Sequence, residues 1–238
     1  MKSFALRAHE IELMDKSPES YGEFATALSQ LEILNRLTRA YSITENAISS
    51  LLREKRHRPT RPLRIIDIGS GYGDMLRHIK RYADKNHLPV KLTGIDVNAW
   101  ATKAARIATP PSYDIDFVTS DVFSYEPIRS GHIIVSSLFM HHLNDAAIVQ
   151  FLEWMTAKSV YGWFINDLNR HPLPYYFILG TTRIFPFSRL IRNDAPLSVA
   201  RSFRRADWES YGRRAGLDPL NLNIQWHWPF RYGVSYVT

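Results

Sequence analysis

The stretch from Leu63 to Asp74, LRIIDIGSGYGD, constrains this chain most: an apolar strand runs into an acid, three alternating glycines and a second acid. Glycines at 69, 71 and 73 let the backbone turn sharply and approach a ligand with no Cβ in the way. A helix starting at about Asp74 then aims free amides at that ligand. The pattern predicts strand, tight turn and helix, with a nucleotide-type cofactor at the turn. Two later apolar segments, Val90 to Ile95 and Ile115 to Val118, are followed by Asp96 and Asp121. Asp67, two residues before the first glycine, falls by period-2 alternation at the carboxyl end of its strand. Three strands therefore deliver a carboxylate near one edge.

The sign of that edge selects among cofactors. A dinucleotide site needs one such acid for a ribose hydroxyl, about 20 residues after its glycines, and Asp96 suits that role. Its turn must also receive a pyrophosphate. A carboxylate such as Asp67 at roughly 4 Å opposes that by about 4 kcal/mol at an effective dielectric near 20. S-adenosylmethionine carries no phosphate, and its ammonium and sulfonium are positive, so acids near its methionine end lower its energy.

Four segments in order and spacing, IIDIGSGYGD, LTGIDVN, SDVF and the stretch from His132 through SSLFMHHLND, resemble the class I S-adenosylmethionine-dependent methyltransferases over about Arg61 to Asn169. The resemblance implies that Asp67, Gly69 and Gly71 frame the methionine part, that Asp96 takes both ribose hydroxyls, and that Asp121 with Val122 holds adenine. Ser70, Val97 and Ser137 join the same implied cofactor set. It further implies an enzyme that consumes S-adenosyl-L-methionine and releases S-adenosyl-L-homocysteine. The flanks GluLeuMetAsp at 12–15, AsnArgLeu at 35–37, AsnAspLeuAsnArgHisPro and SerPheArgArgAlaAspTrp at 202–208 are similar to the type 11 small-molecule branch, related to ubiquinone and menaquinone C-methyltransferases. That branch implies phenolic, quinoid or polyketide-derived acceptors.

Strands and helices alternate from Leu63 onward, which predicts an α/β fold with a parallel sheet wrapped by helices. With the resemblance, the expectation is a Rossmann-like, seven-stranded, mostly parallel sheet ending in an antiparallel hairpin, Leu220 to Trp228 with Tyr232 to Val237. Residues 1–60 are expected to form an amino-terminal helical cap, bounded by a basic, proline-bearing linker at 53–62, and residues 61–238 the cofactor-binding domain. Residues 172–200, aromatic and basic, suit a lid over the acceptor, an ordinary packed helix pair, or an amphipathic contact with a membrane surface.

At 238 residues, 45% hydrophobic and 22% charged, the chain has the size and composition of a soluble globular protein with a proper core. It has no apolar run of 18 residues and no signal-peptide pattern, which places it in the cytoplasm by expectation. Zero cysteines exclude disulfides, thiol catalysis and thiolate metal sites. The net charge of +7 is spread along the chain, so it points to an anionic small partner or a peripheral membrane contact rather than to nucleic acid. The expected state is a monomer or homodimer acting on a small-molecule acceptor.

Methyl transfer to a hydroxyl needs a proton acceptor, and histidine is the side chain poised for it near neutral pH. His141 and His142 follow the fourth strand, where methyl and acceptor should meet. By resemblance to small-molecule O-methyltransferases, His141 is the base and Asp167, after the fifth strand, its support. The alternative is a structural pair that caps the next helix. His142, Arg170, Tyr175 and Tyr176 are the candidate acceptor contacts. No HExxH or comparable spacing is present, so no metal site is expected, and GxSxG is absent as well. O-methylation is favoured. C-methylation of a quinone ring, an RNA or protein methyltransferase, and a non-catalytic cofactor-binding homologue are the alternatives.

Overall fold

A computed structural model describes residues 4–16, 19–54, 62–127 and 132–238. Helices α1 (Leu13–Lys16), α2 (Tyr21–Leu37) and α3 (Ala40–Glu54) precede β1 (Leu63–Ile68). Then follow α4 (Asp74–Lys85), β2 (Val90–Asp96), α5 (Ala99–Ala108), β3 (Ile115–Thr119), β4 (His132–Ser137), α6 (Asp145–Lys158) and β5 (Gly162–Leu168). The carboxyl third adds α7 (Pro172–Ile184), α8 (Arg189–Arg201), α9 (Arg205–Arg214), β6 (Leu222–His227) and β7 (Arg231–Tyr236).

Local chemistry sets these boundaries. Asn144 caps α6 by accepting the Ala147 N–H at 2.9 Å, Asn98 caps α5 through Trp100, and Ser20 caps α2 through Glu23. The seven strands form one sheet in the order β3-β2-β1-β4-β5-β7-β6. Strands β1 to β5 are parallel, and β7 runs antiparallel between β5 and β6. Alternation along each strand feeds two cores: Ile66, Ile68, Ile134 and Ile165 meet α6 and α9 through Phe151 and Trp208, while Ile65, Ile133 and Phe164 meet α3 and α4 through Ile48, Leu51, Leu76 and Ile79. The strand order reverses between β1 and β4, where an open parallel sheet leaves a crevice beyond its carboxyl ends.

This is the Rossmann-like sheet with terminal hairpin that the sequence predicts. The hairpin boundaries shift slightly: the expected Leu220 to Trp228 and Tyr232 to Val237 are observed as Leu222–His227 and Arg231–Tyr236. The amino-terminal helices play two parts. Helix α3 packs on the sheet through Tyr41, Ile43, Ile48 and Leu51, whereas α2 lies over the crevice. Of the expected linker, Arg53 and Glu54 complete α3 and residues 55–61 lie outside the described residues. Among the described residues no helix is long and apolar enough to cross a membrane.

Candidate active site

A cavity of about 590 Å³ opens at the switch point, beneath α2 and α8. Its floor is the glycine turn. Gly69 has a φ of +70°, and a Cβ there would lie 2.5 Å from the Phe139 ring, so only glycine fits this approach of β1 to the loop after β4. Helix α4 begins directly after Gly73 and points its amino end at the same space.

The three acids surround that turn differently. Asp96 uses one carboxylate oxygen to accept the Gly71 N–H and the other to accept the Asn98 N–H, each at 2.9 Å. Burial still pushes its carboxyl above the ordinary range, although those two amides work against it. Asp121 accepts the Phe123 N–H at 2.7 Å, starting a short 3₁₀ turn that presents Val122. Asp67 is fully buried, and desolvation, reinforced by the charges of Asp74 and Asp96, raises its pKa well above the usual carboxylate value. One of its oxygens, with the hydroxyls of Ser70 and Ser137, has no hydrogen-bond partner among the described residues. Each such buried orphan costs about 1 to 3 kcal/mol until a ligand satisfies it. A positively charged ammonium beside Asp67 fits that demand, and the glycine cradle leaves room for it.

The nine residues expected to hold cofactor, Asp67, Gly69, Ser70, Gly71, Asp96, Val97, Asp121, Val122 and Ser137, all line this one cavity. So do His141 and His142. Asp167 stands behind the pair and accepts from His141 Nδ1 at 2.8 Å and from the Leu168 N–H at 2.7 Å. Its burial alone would raise its pKa, but the charge and hydrogen bond of His141 outweigh that and hold it below the usual value. His142 Nδ1 bonds Asp15 at 2.8 Å. Burial opposes its charge, yet that bond and the charges of Glu12 and Asp15 push it up to about 9. Glu12, only 4% exposed, lies 3.7 Å from His141 Nε2 and 3.9 Å from His142 Nε2.

The expected acceptor contacts need correction. Arg170 does not line the cavity. It is 2% exposed, its guanidinium donates to the carbonyls of Phe4, Ala5 and Ser202, and it pairs with Asp207, so it ties the amino-terminal segment to α9. Tyr175 and Tyr176 also point elsewhere: Tyr175 packs edge-on against Phe4, and Tyr176 is half exposed. Helices α7 and α8 cover the cavity instead through Ile178, Ile191, Ala195 and Val199, opposite Leu28, Leu31 and Leu34 of α2. Sequence reading missed Glu12, Asp15, Asp194 and Arg231 as cavity residues. A signal existed for the first two, since GluLeuMetAsp stood out as a branch marker, but nothing local tied it to the histidines.

Residues 65–158, from β1 through α6, match the family model of the methyltransferase domain. That span contains the glycine turn, the three strand-end acids and the histidine pair. Residues 65–158 therefore carry a methyltransferase domain. Its curated relatives include trans-aconitate 2-methyltransferases of Mycobacterium ulcerans (strain Agy99) and Mycobacterium marinum (strain ATCC BAA-535 / M), each 23% identical over 141 residues. These matches cover 58% of this chain and 49% of the relative, so the methyltransferase match spans about half the length of those proteins. Human N-acetylserotonin methyltransferase in complex with SAM superimposes with a TM-score of 0.62 at 12% identity, over 92% of this chain and 56% of that one. The plantazolicin methyltransferase BpumL in complex with SAH gives 0.58 at 15% identity, over 91% and 95%. These structures share the fold of the methyltransferase domain, including its sheet.

Proposed function

We propose that this chain transfers a methyl group from S-adenosylmethionine to an oxygen of a small, aromatic or polyketide-like acceptor. The observation that carries the reading is the polarity of this cavity: strand-end acids and orphaned polar atoms at the glycine turn, and an aliphatic wall of Leu28, Leu31, Leu34, Ile178, Ile191 and Val199 under the helices. When bound, S-adenosylmethionine supplies a methyl on a positive sulfur that departs as a neutral thioether.

The residues then have distinct tasks. Asp67 meets the ammonium, Asp96 the ribose hydroxyls and Asp121 with Val122 the adenine edge. Fixing donor and acceptor in line supplies much of the acceleration. His141 Nε2 would take the hydroxyl proton of an acceptor as it receives the methyl, while Asp167 holds the ring by its Nδ1–H. His142 and the apolar wall bound the acceptor. Such a wall favours an apolar ring over an acid of the trans-aconitate kind for which the curated relatives are named.

Incubation with methyl-labelled S-adenosylmethionine and a phenolic library, followed by mass identification, tests the reading. A labelled oxygen on a small molecule supports it. Label on ring carbon, on RNA or on protein overturns the acceptor assignment, and bound donor without any turnover overturns the enzymatic one.

A further inference from the structure

Glu12, His141 and His142 offer one ligand atom each within 4.8 Å of one another, and the reading so far gives Glu12 no task. Both imidazoles are fixed in the same sense. Asp167 holds Nδ1 of His141 and Asp15 holds Nδ1 of His142, each at 2.8 Å, which leaves both Nε2 atoms turned toward the Glu12 carboxylate. Glu12 is itself held by the Ser198 hydroxyl, which donates to Oε1 at 2.9 Å. Carboxylate-oriented imidazoles with the opposite nitrogen free are the supporting shell that metal-binding histidines use.

We propose that Glu12, His141 and His142 form a divalent transition-metal site of the zinc class, with its remaining coordination position open to the acceptor cavity. Imidazole nitrogens and one carboxylate are a donor set that zinc accepts, and three protein ligands leave the fourth place for water or substrate. Metal–ligand distances of about 2.0 to 2.1 Å put tetrahedral donors about 3.3 Å apart. The two imidazole nitrogens lie 3.7 and 3.9 Å from different oxygens of Glu12, and the three donor atoms lie within 4.8 Å of one another, so binding requires them to close by up to about 1.5 Å. Charge agrees as well: Glu12, Asp15 and Asp167 gather around the histidines, with Arg201 as the guanidinium nearest Glu12 and Asp15. All three ligands line the cavity, so the open position faces where an acceptor oxygen would lie.

This inference rests on reading the cavity as the acceptor site, and it changes one assignment there. With the ion in place the His141 Nε2 lone pair is a metal bond, and coordination lowers the pKa of the acceptor hydroxyl, whose proton passes to solvent. Any proton carried on either Nε2 leaves when the ion binds.

The full chain, stripped with a chelator and dialysed, is titrated with zinc by calorimetry and with cobalt by visible absorption. One ion per chain is expected. Glu12→Gln and His142→Ala should each weaken binding at least tenfold, and Asp15→Asn, which touches no metal, should weaken it about 10- to 100-fold. Acetohydroxamate, an oxygen-donor probe, should shift the cobalt spectrum through the open position. The proposal is overturned by absence of binding at about 1 mM zinc, by affinity indifferent to the substitutions, or by a cobalt spectrum that acetohydroxamate leaves unchanged. S-adenosylhomocysteine binding to the stripped variants reports their fold. Its loss in the stripped wild type would sink the donor assignment, while zinc binding would still decide the metal.

Discussion

Asp67 is an acid held where charge is unwelcome, and two tests follow from that. Its pKa is raised in the folded chain, chiefly by burial, so the unfolded chain binds fewer protons between the ordinary and the raised value. Stability of the donor-free protein therefore falls as pH rises through that window. Asp67→Asn should flatten this dependence and raise Tm near neutral pH, by about 2 to 4 °C for each kcal/mol relieved, in a calorimetric scan. The same change should weaken S-adenosylhomocysteine binding about tenfold or more, because a charge-assisted hydrogen bond is lost. A pH profile like that of the wild type would refute the burial argument. At His141 the prediction is kinetic: His141→Gln should lower kcat about 10²- to 10⁴-fold while S-adenosylhomocysteine still binds as before. An unchanged kcat would remove His141 from the reaction, both as the base and as a ligand of the proposed metal. The acids were legible in the sequence because strand ends and glycines mark their positions locally. Arg170 was not, because its guanidinium is spent on carbonyls of Phe4, Ala5 and Ser202, and local sequence does not reveal that fate.

Helices α2 and α8 and the amino-terminal segment line the side of the cavity that the proposal assigns to the acceptor. Periodicity revealed the apolar stripe Leu28, Leu31 and Leu34 but not what it faces, since a stripe looks the same over a cavity or over a core. The stripe of α3 illustrates the other outcome, packing on the sheet although the sequence assigned it to the cap. Of residues 172–200, those that line the cavity include Ile178, Ile191 and Val199 of α7 and α8, and not Tyr175 or Tyr176. Two substitutions probe these elements. Ala195→Trp, on the cavity side of α8, should cut kcat/KM more than tenfold with donor affinity retained, whereas equal kinetics would place the acceptor elsewhere. Arg170→Met strands the buried carbonyls that anchor residues 4 and 5, at a cost of about 1 to 3 kcal/mol. Limited proteolysis should then cut within residues 4–16 faster than in the wild type, and equal rates would show that Arg170 is not the tether.

At the scale of the whole molecule, the sheet does one thing for chemistry: its reversal between β1 and β4 gathers residues from five strands at one edge. In the proposed reading, donor binding is a property of the domain, and acceptor choice a property of the helices laid over it. This division explains why order and spacing along the chain pointed to the donor half, where ligands follow their strands within a few residues. The acceptor half joins Glu12 and Asp15 to His141 and His142 across most of the sequence, a proximity that only folding creates. The central claim is that these strand-end acids hold a positively charged, phosphate-free methyl donor. Calorimetric titration of wild type and Asp96→Ala with S-adenosylhomocysteine measures it directly. One site per chain is predicted, weaker by about 10- to 100-fold in the variant, as expected for about 1.5 to 3 kcal/mol of hydrogen bonding to a charged acceptor. Equal affinity in the two proteins, or no binding to the wild type, would contradict it.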